Sequence, residues 1–437
     1  MDSSPVPVVG FSAALRSNAL VEWFYNNDGG NLSPSYPEPL RMAEVLGMAS
    51  DELLRDWEGM QLGYAGGRGG AELRAAVAQL YETVEADDVL SCVPDEGIFL
   101  ALMALLEPGA EVIVTCPAYA SLYEIAHAQG CTVRHWLPAV AAEGEAGREA
   151  GELYFSPEEL RGLITPRTGL VVVNFPHNPT GALPTRPEHE AIVECCREHK
   201  LMMFSDEMYR LLEYSPEDRL PAACDSYELG ISLAGMSKAY AMPGIRVGWL
   251  CTRNTEILDR MAKLKEYTTI CGGTPNELLA RIGLENGTEI IARNLGTYTR
   301  ARNPHHSLIS ADASESLLVA AAILSSNLER VCDFFDRHPD RFEFVKPRVG
   351  TVVFPKLKLA SDDAVEYCSA LATEHGLVLV PPSAMAPPDV VAQLTERVGP
   401  RFRLGFGRTT LEPLLLELDG AVAAEAEAVA AVVEARL

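Results

Sequence analysis

The alternation of short apolar runs with helical stretches, between about residues 86 and 265, most constrains the fold of this chain. The runs VLSCV, AEVIVTC, CTVRHW, TGLVVVN and LMMFS predict buried strands, and residues 97–107, 119–129 and 186–198 have helical periodicity. Strands joined through helices form a largely parallel sheet covered on both faces. We therefore expect an α/β fold whose large domain has three α/β/α layers, with its site at the carboxyl ends of the strands.

The sequence pattern changes after about residue 289. FEFVKPRVGTVVFPKLK is typical of a hairpin, DDAVEYCSALATEHG of an amphipathic helix and RFRLGFGR of a strand, and an Ala/Glu/Val-rich helix follows. We predict a large domain over residues 45–289 and a smaller α+β domain made of residues 1–44 and 290–437. The segment AVAAEGEAGREAGELYF and residues 300–318 are expected to be surface loops or insertions.

Charge and cysteine content exclude several classes of function. The 437 residues carry 36 Lys and Arg against 61 Asp and Glu, a formal charge of −25 that would repel nucleic acid and anionic membranes. The ten cysteines include no CxxC pair, so neither a metal site nor a disulfide framework is expected. With no secretory signal pattern and no apolar run long enough to cross a bilayer, we expect a soluble, cytoplasmic protein.

Three motifs lie at or just beyond predicted strand ends: NFPHNPTG, SDEMYR and SLAGMSKAYAMPGIRVGW. Electron-sink chemistry on an amine needs a nucleophilic amine to hold an aldehyde and an acid to pair with a ring nitrogen. Lys238 offers the amine, and Asp206 offers a carboxylate at the end of a strand. The same chemistry also needs neutral hydrogen-bond donors for a phenolate oxygen and a site that binds a phosphate.

The remaining polar residues of these motifs match those requirements. Tyr209 and Asn178 could donate to a phenolate oxygen, while Ser237 and Arg246 could bind a phosphate. Arg246 is expected to be buried against an anion, because a buried guanidinium needs an anionic partner.

The order and approximate spacing of the motifs resemble those of the fold-type I pyridoxal-phosphate enzymes, in particular the class I/II aminotransferase family. The resemblance extends over nearly the whole chain and implies pyridoxal 5'-phosphate bound to Lys238 as a Schiff base. It also implies that Tyr119 stacks on the pyridine ring and that the backbone N–H groups of Glu96 and Gly97 hold the phosphate. Arg403 would clamp the substrate α-carboxylate, and Tyr64 would cross to the partner's site in a homodimer.

The site residues do not by themselves separate the reactions that begin at the α-carbon. Transfer of an amino group to a 2-oxo acid is the leading hypothesis, because it is usual in the family. Elimination, replacement or cyclisation remains open, as in capreomycidine synthases or enzymes that act on S-adenosylmethionine; the EGIF loop, the inserted region and PPSAMAPP favour it. A ligand-sensing relative without activity is the third alternative. No chemical role is expected for His177, Glu207 or Arg408.

Overall fold

The computed structural model describes residues 11–145, 147–296, 323–358 and 363–434, so the predicted insertion at 300–318 lies outside the described residues. The strands are β1 (Gly30–Asn31), β2 (Val89–Cys92), β3 (Glu111–Thr115), β4 (Thr132–Trp136), β5 (Ala139–Val140), β6 (Leu153–Tyr154), β7 (Thr168–Asn174), β8 (Met202–Asp206), β9 (Gly230–Gly235), β10 (Gly248–Cys251), β11 (Phe342–Glu343), β12 (Val352–Val353), β13 (Lys356–Leu357), β14 (Leu377–Val378) and β15 (Leu404–Gly405).

The helices lie between and after these strands. They are α1 (Phe11–Ala14), α2 (Ala19–Asn26), α3 (Met42–Met48), α4 (Asp51–Glu58), α5 (Ala71–Ala78), α6 (Pro94–Leu105), α7 (Ser121–Ala128), α8 (Pro157–Leu163), α9 (Arg186–His199), α10 (Ala223–Ser226), α11 (Thr255–Lys265), α12 (Thr274–Glu285), α13 (Gly287–Leu295), α14 (Ile323–Arg337), α15 (Ala364–His375), α16 (Pro388–Val398) and α17 (Leu411–Glu434). Short 3-10 turns cover Ala86–Asp88, Pro216–Asp218, Pro243–Ile245 and Pro382–Ala384.

The main sheet has seven strands in the order β2, β10, β9, β8, β7, β3, β4. All neighbouring strands run parallel except β10, which is antiparallel to both β2 and β9. The five predicted strands are β2, β3, β4, β7 and β8, so the prediction of a mostly parallel α/β sheet is confirmed. The sequence pattern missed β9 and β10, which begin or end at glycine and so lack a long β-branched run.

Helices cover both faces of this sheet. Within β7, Leu170 and Val172 pack in the cluster that contains α6, α7 and α11, whereas Val171 and Val173 pack in the cluster that contains α8 and α9. Alternate side chains of a strand point to opposite faces, so a strand buried on both sides must be apolar throughout. This is why TGLVVVN shows no alternation of polar and apolar residues.

The C-terminal elements form small sheets. The predicted hairpin is present as β11 paired antiparallel with β13, while β12 pairs antiparallel with β15. The predicted amphipathic helix is α15. Near the N-terminus, β1 pairs in parallel with β14, which joins the chain around Gly30 to the C-terminal elements. The boundaries at residues 45 and 289 stay a prediction.

Candidate active site

The predicted motifs meet at the carboxyl edge of the main sheet. Asn174 and Asp206 end the neighbouring strands β7 and β8 and are direct register partners. The Asn174 side chain donates to the Asp206 carbonyl at 2.8 Å and accepts the N–H of Asn178 at 2.9 Å. A strand-end amide therefore fixes the loop that carries Asn178 beside the strand that carries Asp206.

Lys238 lies three residues after the end of β9, next to the half-buried Ser237. Its Nζ donates to Ser35 Oγ at 3.1 Å and is 5.6 Å from the ring centroids of both Tyr36 and Tyr209. Burial, reinforced by the Arg403 charge, lowers the pKa of Lys238 to about 7. Near neutral pH a substantial fraction of this side chain is thus a free, nucleophilic amine.

Asp206 is buried, and few described groups stabilise the negative charge of its carboxylate. Among the described residues it accepts one hydrogen bond, from the N–H of Met208 at 3.1 Å. Burial raises its pKa to about 7, against the opposing effect of the Met208 N–H and the Lys238 charge. A carboxylate in this position gains most from a cationic ring nitrogen brought against it.

Arg403 is 2% exposed and reaches the site from the segment before β15. Its Nη1 donates to Asn178 Oδ1 at 3.1 Å and its Nη2 donates to the Ser33 carbonyl at 3.0 Å, while its Nε has no hydrogen-bond partner within the described residues. No carboxylate of the described chain forms an ion pair with it. Such a guanidinium is suited to an incoming carboxylate. Tyr209 lies nearby, its hydroxyl donating to the Ser35 carbonyl at 2.9 Å.

The predicted anion donors at the start of α6 need a correction. The N–H of Gly97 donates to the Val93 carbonyl at 2.8 Å, inside the helix, which contradicts its predicted role as a donor to phosphate. The first helical turn has N–H groups without carbonyl partners, and here these belong to Asp95 and Glu96. Gly97 has a packing role instead, because a Cβ there would meet Cys92 Sγ at 2.9 Å.

The Glu96 side chain belongs to a buried ion pair. Its carboxylate is 3.1 Å from Lys265 Nζ and accepts hydrogen bonds from the hydroxyls of Thr268 and Thr269. These contacts tie the start of α6 to the segment between α11 and α12. The backbone N–H of Glu96, and not its side chain, remains the candidate group for an anion.

Arg246 is exposed, and the expectation that it is buried is wrong for this chain. It follows the turn Pro243–Ile245 with a backbone φ of 53°, and its Nη1 donates to the Pro243 carbonyl at 3.0 Å. The turn leaves the side chain at the surface. Tyr64 is 90% exposed, so it also lies on the surface of the single chain.

Sequence reasoning missed three residues that line the site. Ser35 and Tyr36 lie against Lys238 from an N-terminal segment that carries no recognisable pattern. Asp95 accepts hydrogen bonds from the hydroxyls of Tyr119 and Ser121, both at 3.1 Å. Asp95 directly precedes the EGIF loop in the sequence, but its partner Tyr119 is 24 residues away and left no local signal.

Three residues to which we assigned no chemistry have structural contacts. His177 is buried, with Nδ1 2.7 Å from Thr180 Oγ1, and burial lowers its pKa to about 3. Glu207 accepts the N–H of Ala223 and the hydroxyl of Ser232, both at 2.8 Å. Arg408 pairs with Glu38 at 3.0 Å and donates to the Tyr36 hydroxyl at 2.9 Å, so it holds the Tyr36 ring in place.

The described ranges contain neither a candidate metal centre nor a candidate membrane-spanning helix. No group of three or more His, Cys, Asp or Glu side chains there could hold a metal ion. No described helix combines the length and the apolar character that crossing a membrane requires.

Comparison with known proteins defines the family. Residues 51–286 match the family described as aminotransferase class I and II, and the chain belongs to it. It is 29% identical to capreomycidine synthase of Streptomyces vinaceus over 343 residues, covering 77% of this chain and 75% of that protein. It is 28% identical to a probable N-succinyldiaminopimelate aminotransferase of Mycobacterium tuberculosis over 367 residues, covering 82% of each.

Solved structures agree with this assignment. A pyridoxal-phosphate-dependent aminotransferase from Streptococcus suis superposes with a TM-score of 0.76 at 26% identity, covering 93% of this chain and 97% of that one. The cyclase OrfR, also described as pyridoxal-phosphate-dependent, shares the fold, with a TM-score of 0.76 at 24% identity over 97% of this chain and 100% of that one. The protein is thus a pyridoxal-phosphate-dependent enzyme of fold type I, and the predicted fold, family and cofactor are confirmed.

The residues at the sheet edge fit this cofactor. Within the described residues, Asp206 is a buried carboxylate with no cationic partner other than Lys238, and a protonated pyridine nitrogen would supply one. Lys238 is an amine with a lowered pKa, as bonding to an aldehyde requires. Arg403 retains a buried Nε without a partner in the described chain. The donor set therefore matches the chemistry of the group.

Proposed function

We propose that the protein is an aminotransferase that moves the amino group of an amino acid to a 2-oxo acid, with Lys238 as the catalytic amine. The observation that carries the role of Lys238 is its convergence with Asp206 and Arg403 at one sheet edge, where burial lowers the pKa of Lys238 and of Arg403 and raises that of Asp206. Transamination is favoured among the reactions open to such a site because relatives over most of the chain are described as aminotransferases. When bound, the cofactor supplies an electron sink for charge that develops at the substrate α-carbon.

Lys238 would hold the cofactor's aldehyde end and then move a proton. A pKa near 7 lets the same amine accept the α-proton and return it, because both forms are populated at the operating pH. Its hydrogen bond to Ser35 Oγ and the rings of Tyr36 and Tyr209 restrict where the Nζ atom can lie. An amine held in one place loses less conformational freedom on reaching the reactive geometry, which lowers the barrier.

Arg403 would orient the substrate. Its Nη1 and Nη2 are anchored by Asn178 and the Ser33 carbonyl, so the guanidinium plane is set before a ligand arrives. A bidentate contact with the α-carboxylate then determines which bond of the α-carbon is aligned for cleavage. Asp206 would keep the ring nitrogen protonated, and Tyr209 and Asn178 would donate to the phenolate oxygen.

The phosphate end would be held by Ser237, Arg246 and the backbone N–H groups at the start of α6. Tyr119, whose hydroxyl is tied to Asp95, would stack on the ring. The exposure of Tyr64 supports a homodimer in which this tyrosine reaches the partner's phosphate site. A cytoplasmic location is part of the same proposal.

Borohydride reduction of the purified enzyme tests the role of Lys238. Reduction should fix the cofactor covalently to Lys238, and peptide mapping should find it there. A Lys238→Ala variant should bind the cofactor without a reducible bond, while the control Lys200→Ala, at an exposed lysine, should behave as the wild type. A reducible yellow imine retained by Lys238→Ala would sink the assignment.

A second candidate function is elimination, replacement or cyclisation. It is favoured by the 29% identity to a capreomycidine synthase and by the Asp95 carboxylate at the start of α6, bound to Tyr119 and Ser121. Incubation with a panel of amino acids, followed by absorbance, separates the two. Conversion of the cofactor to its amine form supports transamination. If no amino acid converts it, yet one loses a β- or γ-substituent or closes a ring, the second function is correct.

A further inference from the structure

Transamination as proposed gives the Asp95 carboxylate no role, although its charge acts on two residues of the active site. Asp95 is exposed in the first turn of α6. Burial lowers the pKa of Lys238 and raises that of Asp206; the negative charge of Asp95 opposes the first shift and adds to the second. Asp95 therefore belongs to the same cleft as Lys238 and Asp206.

Two hydroxyl groups hold this carboxylate in one orientation. The Tyr119 hydroxyl donates to Oδ2 of Asp95 and the Ser121 hydroxyl donates to Oδ1, both at 3.1 Å. An ionised carboxylate has about four acceptor positions on its two oxygens, so each oxygen can accept a further hydrogen bond. The side chain is thus fixed by protein contacts and remains accessible to a ligand.

Asp95 forms no ion pair with the residues that the structure describes. The cation at the start of α6, Lys265, is bound by Glu96 at 3.1 Å. The phosphate of the cofactor, proposed to bind at this helix start and at Arg246, would add negative charge there and supply no cation. A cation that binds beside Asp95 would therefore be stabilised, and most strongly when the cofactor is present.

A series of apolar contacts connects Asp95 to Arg403. The Tyr119 ring, whose hydroxyl is bound to Asp95, packs against the buried cluster that contains Met385. The sulfur of Met385 is in turn 3.6 Å from Arg403 Nη1. Arg403 has a buried Nε without a partner among the described residues, which suits it to a carboxylate. An apolar surface thus separates a group that binds a carboxylate from a group that binds a cation.

We propose that the substrate is an amino acid whose side chain ends in a cation, a guanidinium or an ammonium, and that Asp95 binds this cation. The α-carboxylate lies on Arg403, the methylene groups lie on the apolar surface of Tyr119 and Met385, and the cation lies on Asp95. The assignment rests on the proposed function, in which Lys238 and Arg403 define where the α-carbon lies. An acidic side chain would be repelled at the same place.

Titration of matched amino acids into the cofactor-loaded enzyme tests the assignment. Arginine is paired with citrulline and lysine with norleucine, so the members of a pair have similar length and only the first is cationic. Binding is measured from the change in cofactor absorbance, which follows binding whether or not the amino group is then transferred. At least one cationic member should bind ~10-fold more tightly than its neutral partner. The pair with the larger ratio distinguishes a guanidinium from an ammonium.

Variants connect this preference to Asp95. Asp95→Asn removes the charge, keeps the shape and should reduce the preference at least ~5-fold, while the affinity for the neutral partner is unchanged. The matched control is Asp51→Asn, which removes a carboxylate from the first turn of α4 and should keep the preference. This control is needed because a chain with a formal charge of −25 attracts cations in general.

The outcomes separate this assignment from the proposed reaction. Equal binding within both pairs, or an unchanged preference in Asp95→Asn, would overturn the assignment, and conversion of the cofactor to its amine form by any amino acid would still support transamination. A preference that depends on Asp95, without such conversion, would refute transamination and support the assignment. The wild-type comparison of the pairs needs no variant, so it decides the matter even if Asp95→Asn does not fold.

Discussion

The substitution Asp206→Asn should stabilise the cofactor-free protein at alkaline pH. Burial raises the pKa of Asp206 from an ordinary 3.8 to about 7, so the folded state binds a proton that the unfolded state has already released between these values. Its contribution to the free energy of unfolding therefore falls as pH rises from 3.8 to about 7, and the full penalty persists above. An amide of the same shape carries no such penalty.

The size of the effect follows from the shift in pKa. Above pH 7 the shift of about three pKa units lowers the free energy of unfolding by about 4 kcal/mol. At about pH 5, about 1.2 pH units above the unfolded value, the loss is only about 1.6 kcal/mol. For a chain of this length, 1 kcal/mol corresponds to about 1 °C in Tm. Asp206→Asn should therefore raise Tm by about 4 °C at about pH 8.5 and by about 2 °C at about pH 5.

Thermal unfolding of both cofactor-free proteins at the two pH values provides the measurement. Glu207→Gln is the matched comparison, because Glu207 is the adjacent buried carboxyl and burial raises its pKa as well, although it already accepts two hydrogen bonds at 2.8 Å. It should raise Tm at alkaline pH by less than Asp206→Asn does, because those two bonds stabilise the ionised form. With cofactor bound the order for Asp206→Asn should reverse, since the carboxylate then has a cationic partner that asparagine cannot replace. An Asp206→Asn protein with equal or lower Tm at alkaline pH would refute the reasoning.

Three further substitutions test other parts of the site. Arg403→Lys should raise KM for the amino substrate by at least ~10-fold, while the cofactor absorbance is unchanged, because an ammonium cannot bind a carboxylate bidentately. Tyr119→Phe removes the hydrogen bond to Asp95 but keeps the ring, so kcat should change by less than ~5-fold. The pH profile of kcat should not move, because burial raises the pKa of the Tyr119 hydroxyl to about 12. Lys265→Met leaves the Glu96 carboxylate without its cationic partner. Because Lys265 is 1% exposed, the free energy of unfolding should fall by about 3–5 kcal/mol, measured as a Tm lower by about 3–5 °C. A Tm within a degree of wild type would mean that this pair adds nothing.

The strands and the chemical motifs were predictable because their signals are local. A strand buried on both faces must be apolar along most of its length, as β2, β3, β7 and β8 are. The fifth predicted run, β4, lies at the edge of the main sheet and is only partly buried, so Arg134 and His135 are accommodated there. The strand β9 was missed for a related reason, since its glycines serve close packing: a Cβ on Gly230 would meet the Ala223 carbonyl oxygen at 2.1 Å. That requirement comes from a neighbour in space and leaves no periodic pattern.

Exposure was harder to predict than chemistry. Arg246 belongs to a motif that is typical of phosphate binding, but whether its side chain is buried depends on the turn at Pro243–Ile245 and on what packs over it. The availability of the Gly97 N–H was equally hard to predict. It already donates to the Val93 carbonyl within the helix and is therefore not free for an anion. An error of one residue at a helix start changes which N–H groups remain available.

By itself the sequence determined the layered α/β fold, the family and the identity of the cofactor, because hydrophobic period and ordered motifs are properties of neighbouring residues. Only the tertiary structure decided which distant residues share a site: Ser35 beside Lys238, 203 residues apart, and Asp95 bonded to the Tyr119 hydroxyl. Such contacts depend on how the packed elements bring their loops together. Burial, which shifts the pKa values of Lys238 and Asp206, is likewise a property of the packed chain and not of either residue.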